Sequence, residues 1–442
     1  MIKVGLEIHV SLNTKSKLFC SCATRGDVNE NVCEICLGHP GTRLSLNKEA
    51  VIKCLKIAKA LNCDLSRSFY FARKSYFYPD LSKNYQVSMS KPLGVNGFLD
   101  LDGKKINILG VHLEEDPASV VRKANYSLLD YSRSGVPLAE IVTAPDISSA
   151  DEARLFMKRL LRMLKYLDVF DIDGVIKADV NVSVKKSGFK RVEVKNVTGF
   201  KDIQRVIEFE CERQLKEEPV LETRGFNSTT GETYSMRKKE SALDYGYIYE
   251  PDLLLVENNF DINLPELAES KVLRYKKLGA SVDDSNIIAE DPLVSKLFDE
   301  VIEKFDAVFA SKFFRTNLLT ALNEKSLAET FFNKDNLVSL MSLYKDKKIN
   351  KLGMEKVLFT LLKEEVDPKE FVLKHNLIQI KDENQLEEFA KEAINENKKA
   401  VEDYLEGEAK SLNFLVGQVM KKSKGKANPA RVAEIIKDLI KS

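Results

Sequence analysis

The chain opens on strict alternation. Ile2, Val4, Leu6, Ile8 and Val10 share one parity and Lys3, Gly5, Glu7 and His9 the other, the period of a strand with one buried face. Glu7 and His9 therefore point the same way. Residues 46–61 switch to helical spacing, and Ser149-Ala-Asp-Glu152 is a capping-box signature opening a helix with Phe156, Leu160, Leu161, Leu164 and Leu167 as its apolar positions. A hairpin follows. Ile176, Ala178, Val180, Val182 and Val184 alternate with Lys177, Asp179, Asn181 and Ser183, and beyond a turn at Gly188, Arg191, Glu193 and Lys195 alternate with Val192 and Val194. Its polar face reads equally as a solvated surface, although short acids and amides are poor strand formers. From Pro265 onward the texture becomes helical, rich in Lys, Glu and Leu, which we take as a domain boundary.

Two acidic interruptions stand out against this pattern. Three acids end the run Val111-His-Leu-Glu-Glu-Asp-Pro-Ala118, and Glu140 lies between Pro137-Leu138 and Ile141-Val142. An uncompensated carboxylate buried there would cost several kcal/mol, so a cation should face it. If Glu114 or Glu115 shares the site, the carboxylates repel one another unless protonated or held by a divalent ion. The plain alternative is a solvated acidic turn and one exposed strand glutamate. Arg73 and Lys74, in Phe71-Ala-Arg-Lys-Ser-Tyr-Phe-Tyr-Pro-Asp80, either contact phosphate and stacked bases or edge an aromatic core. Arg237, Lys238 and Lys239 form a second candidate phosphate patch.

Cysteine usage adds a metal. Of seven cysteines, Cys20, Cys22, Cys33 and Cys36 form Cys-x-Cys and Cys-x-x-Cys pairs separated by ten residues, a zinc-ribbon-like pattern whose four ligands leave no position for chemistry. Cys54 and Cys211 follow helical apolar stripes and read as packing residues.

With 442 residues and 44% hydrophobic content, two or three domains are expected. No run approaches the roughly 18 apolar residues of a membrane span, and the first residues begin a strand rather than a signal peptide, so a cytoplasmic protein without membrane contact is expected. The net charge of +1 advertises no global field for nucleic acid. Charge does segregate late: residues 378–409 hold ten acids and four bases, net −6, and residues 410–442 eight bases and two acids, net +6, which fits either a solvated run or a local RNA backbone contact. P-loop, dinucleotide-binding and nucleophile-elbow signatures are missing.

The phrases Gly5-Leu-Glu-Ile-His-Val10, Tyr76-Phe-Tyr-Pro-Asp80, His112-Leu-Glu-Glu-Asp116, Gly135-Val-Pro-Leu-Ala-Glu-Ile-Val142, Asp179-Val-Asn-Val-Ser183, Glu193-Val-Lys-Asn196, Ser235-Met-Arg237, Gly417-Gln-Val-Met420 and Gly425-Lys-Ala-Asn-Pro429 closely resemble, in order, the GatB/GatE family of tRNA-dependent amidotransferase subunits. The likeness is to its GatB branch, since no synthetase-like insertion interrupts the chain. The resemblance implies an α+β fold: a mixed-sheet cradle domain over residues 1–264 with a zinc-ribbon-like insertion at 20–36, a helical domain over 265–372, and a small helical YqeY-like tail over 373–442 that binds tRNA through Lys421, Lys422, Lys424 and Lys426. It implies ATP-dependent phosphorylation of the side-chain carboxylate of mischarged Asp-tRNA(Asn), Glu-tRNA(Gln) or both, then amidation by ammonia. A separate GatA-like amidase and a GatC-like small subunit would complete a heterotrimer. By position the family's Mg2+ residues fall on Glu7, His9, Glu115 and Glu140, with Asp179 as neighbour; strand parity does not settle Glu114 against Glu115, because the strand ends there. Arg73, Lys74, Tyr78, Lys195 and Arg237 become contacts for ATP or the tRNA end. The zinc cysteines occur in only part of the family, which agrees with a structural role. The chain departs from the family pattern at Gly246, where an arginine is usual, and at Ala178, where a cysteine is usual. The rival readings are a zinc-stabilised RNA-binding subunit without catalysis and, less well matched, a metal-dependent phosphohydrolase.

Overall fold

A computed structural model describes residues 1–170, 176–217, 220–238, 246–323, 326–330, 333–380 and 382–441. The chain divides into two compact units, Met1–Ala268 and Glu269–Ser442.

The first unit is built on one mixed sheet. Its longer strands are β1 (Ile2–Ser11), β2 (Phe71–Ser75), β3 (Gln86–Met89), β4 (Gly94–Leu101), β5 (Lys104–Glu115), β6 (Pro137–Thr143), β7 (Lys177–Val184), β8 (Val192–Thr198), β9 (Glu222–Asn227), β10 (Glu232–Lys238) and β11 (Gly246–Tyr249). They run in the order β10-β9-β8-β7-β1-β6-β5-β3-β2-β11, with β4 paired to β5 off this path. All these pairings are antiparallel except β8 with β9. The alternating first segment becomes the central strand β1, flanked by β6 and β7.

The apolar parity of each strand makes one core with three helices. Val4, Leu6, Ile8, Val10, Ile141, Val180 and Val182 pack with Val51 and Leu55 of α1 (Lys48–Ala60), Phe156, Leu160 and Leu164 of α2 (Ala150–Leu167), and Ile203, Val206 and Ile207 of α3 (Phe200–Lys216). Each such side chain removed from water contributes about 1.5–3 kcal/mol. Local signals start the helices: Asn47 accepts from the N–H groups of Glu49 and Ala50, and Ser149 from that of Glu152. The reciprocal arm of the capping box lands one residue early, since Glu152 accepts from the N–H of Ser148 rather than Ser149. Cys54 is fully buried in this core. The helices cover one face of the central strands and leave the polar parity of β1, β5, β6, β7 and β8 on the other.

In the second unit the described residues form helices. Asn350 caps α4 (Lys351–Leu361). The last part, α5 (Glu383–Glu396), α6 (Ala409–Lys422) and α7 (Pro429–Lys441), encloses its own core of Leu386, Ala390, Leu415, Val419, Val432 and Ile436. The protein is therefore α+β, with a mixed-sheet body and helices after it. Among the described residues no helix is long and apolar enough to cross a membrane.

Candidate active site

Strand register assembles the polar face. His9 on β1 lies opposite Glu140 on β6 and Lys177 on β7, and Glu140 lies opposite His112 on β5. A row Lys177, His9, Glu140, His112 thus crosses four strands. To one side of this row Glu7 faces Asp179, and to the other Glu114 at the end of β5 faces Leu138 and Ser88. His9 Nε2 is 3.8 Å from Glu7 Oε1, 3.7 Å from Glu114 Oε1 and 3.8 Å from Glu140 Oε2. Ligand atoms of Glu7, His9 and Glu140 all lie within 4.8 Å of one another.

The electrostatics are those of acids crowded where water is scarce. Burial raises the Glu7 pKa, and the charge of Glu140 adds to it. Burial, then Glu140, pushes Glu114 up to about 7, against the pull of His9, Lys74 and a hydrogen bond from Ser88. Burial alone would lower His9, but the close approach of Glu140 and the charges of Glu114, Glu140 and Asp179 outweigh this and raise it to about 9. Burial would likewise raise Glu140, yet His9 and His112 hold it below the usual range. Nδ1 of His112, 3.4 Å from Glu140 Oε1, is buried without a hydrogen-bond partner. This is a site that gains from a cation: oxygen donors converge, and their charge is otherwise balanced by the raised proton affinity of Glu7, Glu114 and His9 together with Lys74 and Lys195. The donor set fits a hard divalent ion such as Mg2+, which takes one or two carboxylates directly and reaches others through water.

Beside this row lies a second acidic group, Glu7, Asp179 and Glu193, whose ligand atoms also fall within 4.8 Å of one another. Lys195 is in its midst, bonded to Asp179 and 2.9 Å from Glu193 Oε1. Burial lowers the Lys195 pKa, but the charges of Asp179, Glu193 and Glu7 more than restore it, so the lysine stays charged.

Glu115, expected with Glu7, His9 and Glu140, is not brought to them. β5 stays regular through Glu115, so the parity of Leu113 applies to it, and its carboxylate accepts from Lys83 Nζ and from the N–H of Val87, both at 2.7 Å, in a nearly dry setting. Glu114 takes the place beside His9. Arg73 makes a bidentate pair with Glu250, at 2.7 and 2.8 Å, and stacks 4.7 Å over the Tyr85 ring. Lys74 lies across from Gln86 and Tyr247, close enough for its charge to act on Glu114, Glu140 and His112. Tyr78 is exposed and receives a hydrogen bond from Arg122. Gly246, where the family pattern has an arginine, pairs with Ser75 at the sheet edge. Arg237 is on β10 opposite Thr223; its side chain, like Lys238's and the whole of Lys239, lies outside the described residues.

The four cysteine ligand atoms of Cys20, Cys22, Cys33 and Cys36 lie within 4.8 Å of one another, and none of the four is in a disulfide. A tetrahedral zinc with bonds of about 2.3 Å sets its sulfurs slightly under 4 Å apart, so the set fits. A hydrogen bond from Cys20 draws the Cys36 thiol down to about 4 despite burial, helped by the Cys33 N–H and Lys17. In the tail, Lys421 and Lys424 are exposed and Lys426 is half-buried. Lys422 is engaged by Glu392 at 2.9 Å and Glu396 at 2.8 Å, and Arg431 by Glu383 and Glu434. Part of the segregated charge is therefore cancelled between α5 and its neighbours.

Residue reading missed His112, Lys177, Lys83 and Glu250 as members of these clusters. His112 and Lys177 were within reach, because they share parity with Glu114 and Asp179 respectively; Lys83 and Glu250 have no local signature.

Residues 2–262 match the GatB/GatE catalytic domain and residues 296–440 the GatB domain. The B subunits of aspartyl/glutamyl-tRNA(Asn/Gln) amidotransferase from Persephonella marina, Thermodesulfovibrio yellowstonii and Brevibacillus brevis are 37%, 40% and 36% identical to the chain. Each alignment covers 99% of this chain and 98–99% of the relative.

Proposed function

The chain belongs to the GatB/GatE family, and on that premise we propose that it is the B subunit of a tRNA-dependent amidotransferase, activating the side-chain carboxylate of Asp-tRNA(Asn), Glu-tRNA(Gln) or both at the acidic row of β1, β5 and β6. The observation that carries the reading is the convergence of Glu7, His9, Glu114 and Glu140 on one polar sheet face. A nucleophile for covalent catalysis is not required there. The substrate carboxylate itself attacks the γ-phosphorus of ATP, giving an acyl phosphate and ADP; ammonia then adds to the acyl carbon, and phosphate leaves to yield the amide. Such transfer depends on positioning and charge neutralisation.

Mg2+ bound at Glu7 and Glu140 would supply the positive charge that steadies phosphate oxygens as the bond shifts. His9, an unusual direct ligand for so hard an ion, serves best by orienting the carboxylates around it and holding a metal-bound water. Lys195 is aimed by Asp179 and Glu193, and Lys74 brings a second cation to the same face; both suit an incoming phosphate or carboxylate. Arg73 is already committed to Glu250, so its part in ATP binding is to hold the β2 edge. We further propose residues 1–264 as the catalytic cradle, 265–372 as a helical domain, and 373–442 as the tail that meets tRNA through Lys421, Lys424 and Lys426. The ammonia source is a GatA-like amidase, held with a GatC-like subunit in a heterotrimer.

Glu140→Gln tests this. The substitution keeps size and removes the central charge, so tRNA-dependent ATP cleavage should fall by about 10²-fold or more, while glutamine hydrolysis by the partner amidase survives. Normal formation of phosphorylated aminoacyl-tRNA by the variant would end the proposal.

A further inference from the structure

The four-cysteine loop and the acidic row are joined by buried groups that the reaction does not use. Lys17 is completely buried and donates to the carbonyls of Asn31 at 2.7 Å and Tyr131 at 3.2 Å, with its third contact to Cys36 Sγ at 3.8 Å. Two carbonyls solvate an ammonium but do not neutralise it, and a charge kept this dry needs an opposite charge nearby. Four thiolates on a divalent zinc carry a net charge of −2. Loading therefore adds to the counter-charge that Lys17 already meets at the Cys36 sulfur and at Asp130.

The same loop grips the segment that runs into β3. Ser82 donates to the carbonyl of Cys36 at 2.6 Å and contacts Ser134 at 2.8 Å. Gly38, at φ +69°, lies so close to Lys83 that an added Cβ would meet Lys83 Cγ at 2.8 Å. From there the path is short. Lys83 pairs with Glu115, Glu115 accepts from the N–H of Val87, Gln86 donates to the carbonyl of Glu115, and Ser88 donates to Glu114 Oε2 at 3.1 Å. Lys17, Cys36, Lys83 and Glu115 line one small cavity between loop and sheet.

We propose that metal binding by Cys20, Cys22, Cys33 and Cys36 positions the acidic row from outside, through Lys17, Ser82 and the Lys83–Glu115 pair, which together hold the end of β5 and thus Glu114 in register with His9. Lys83 and Glu115 are positioning residues in this scheme, not groups that touch substrate. The proposal rests on the reading of the acidic row as the reaction site.

The test uses the full chain and two readouts that need neither ATP nor tRNA: hydrogen–deuterium exchange over residues 86–89, and the affinity of the acidic row for Mn2+. Zinc-free Cys33→Ser/Cys36→Ser protein should exchange faster over this strand and bind Mn2+ about tenfold more weakly, the scale on which groups behind metal ligands act. Lys83→Met should do the same and Lys83→Arg should restore most of the affinity. Combining Lys83→Met with the cysteine substitutions should add little, because both cut one path. Should the cysteine variant not fold, Ser82→Ala severs the loop contact with the cysteines intact and should move both readouts in the same direction. Unchanged exchange and Mn2+ affinity in zinc-free or Ser82→Ala protein overturns the proposal. If instead the wild-type chain with its partners forms no amide on tRNA while both readouts respond to zinc, the amidotransferase reading fails and the coupling stands.

Discussion

Replacing Arg73 with methionine separates two roles that this residue could hold. Glu250 is fully buried, and its two oxygens accept the fork of Arg73 at 2.7 and 2.8 Å, with one further bond from the N–H of Asp252 at 3.1 Å. Methionine keeps most of the bulk over Tyr85 but leaves a carboxylate stranded. Removing one partner of a buried pair costs about 3–5 kcal/mol, whereas exchanging both for apolar side chains is often neutral. For a unit of this size each kcal/mol moves the melting temperature by roughly 2–4 °C, so Arg73→Met should melt about 6–20 °C lower. The double variant Arg73→Met/Glu250→Met should recover most of that loss. The chain has no tryptophan, so far-UV circular dichroism during thermal and urea unfolding is the practical assay. A drop under about 1 kcal/mol for Arg73→Met, or no recovery in the double variant, would refute a structural role set by burial of Glu250. A double variant that is stable yet raises the KM for ATP would show that Arg73 also meets the nucleotide.

Purified chain should carry close to one zinc, and Cys33→Ser/Cys36→Ser should lose it; metal analysis of reduced protein checks this, and structural sites of this kind contribute on the order of 10 kcal/mol. Binding of tRNA should weaken with salt by roughly 0.7–0.9 log units per log unit of salt for each phosphate neutralised, and Lys421→Glu/Lys424→Glu should reduce that slope by about two contacts. Charge reversal is a better probe here than truncation at 410, because α6 and α7 share a core with α5. Asn350 accepts from the N–H of Gly353 and donates to the carbonyls of Gly425 and Ala427, so Asn350→Ala should cost about 1–2 kcal/mol through the lost cap and the unmet carbonyls, with faster amide exchange over residues 423–428.

The elements were legible where a short period ruled them. Alternation over 2–10 placed β1 and set Glu7 and His9 on one side, the spacing of Phe156, Leu160 and Leu164 placed α2, and two cysteine pairs announced a loop that gathers four thiols. Each follows from neighbours a few residues apart, through the geometry of one strand, one helix turn or one loop. Glu114 against Glu115 was undecided because the end of a strand cannot be read to within a residue.

What the amino-acid sequence determined by itself was the list of local elements, the polar parity of each strand, and the family to which the ordered motifs point. Only the tertiary structure decided which polar groups meet. Opposing His9 to Glu140 requires strands some 130 residues apart to pair in one register out of several that local propensity allows equally, and a slip of one residue would turn Glu140 into the helical core. The continuation of β5 through Glu115 sent that acid to Lys83 and left Glu114 with His9. Arg73 found Glu250 at a separation of 177 residues, and α5 cancelled part of the basic tail through Lys422. These pairings are chosen by the packing of the whole core, which fixes register and depth together, and no stretch of chain contains that information alone.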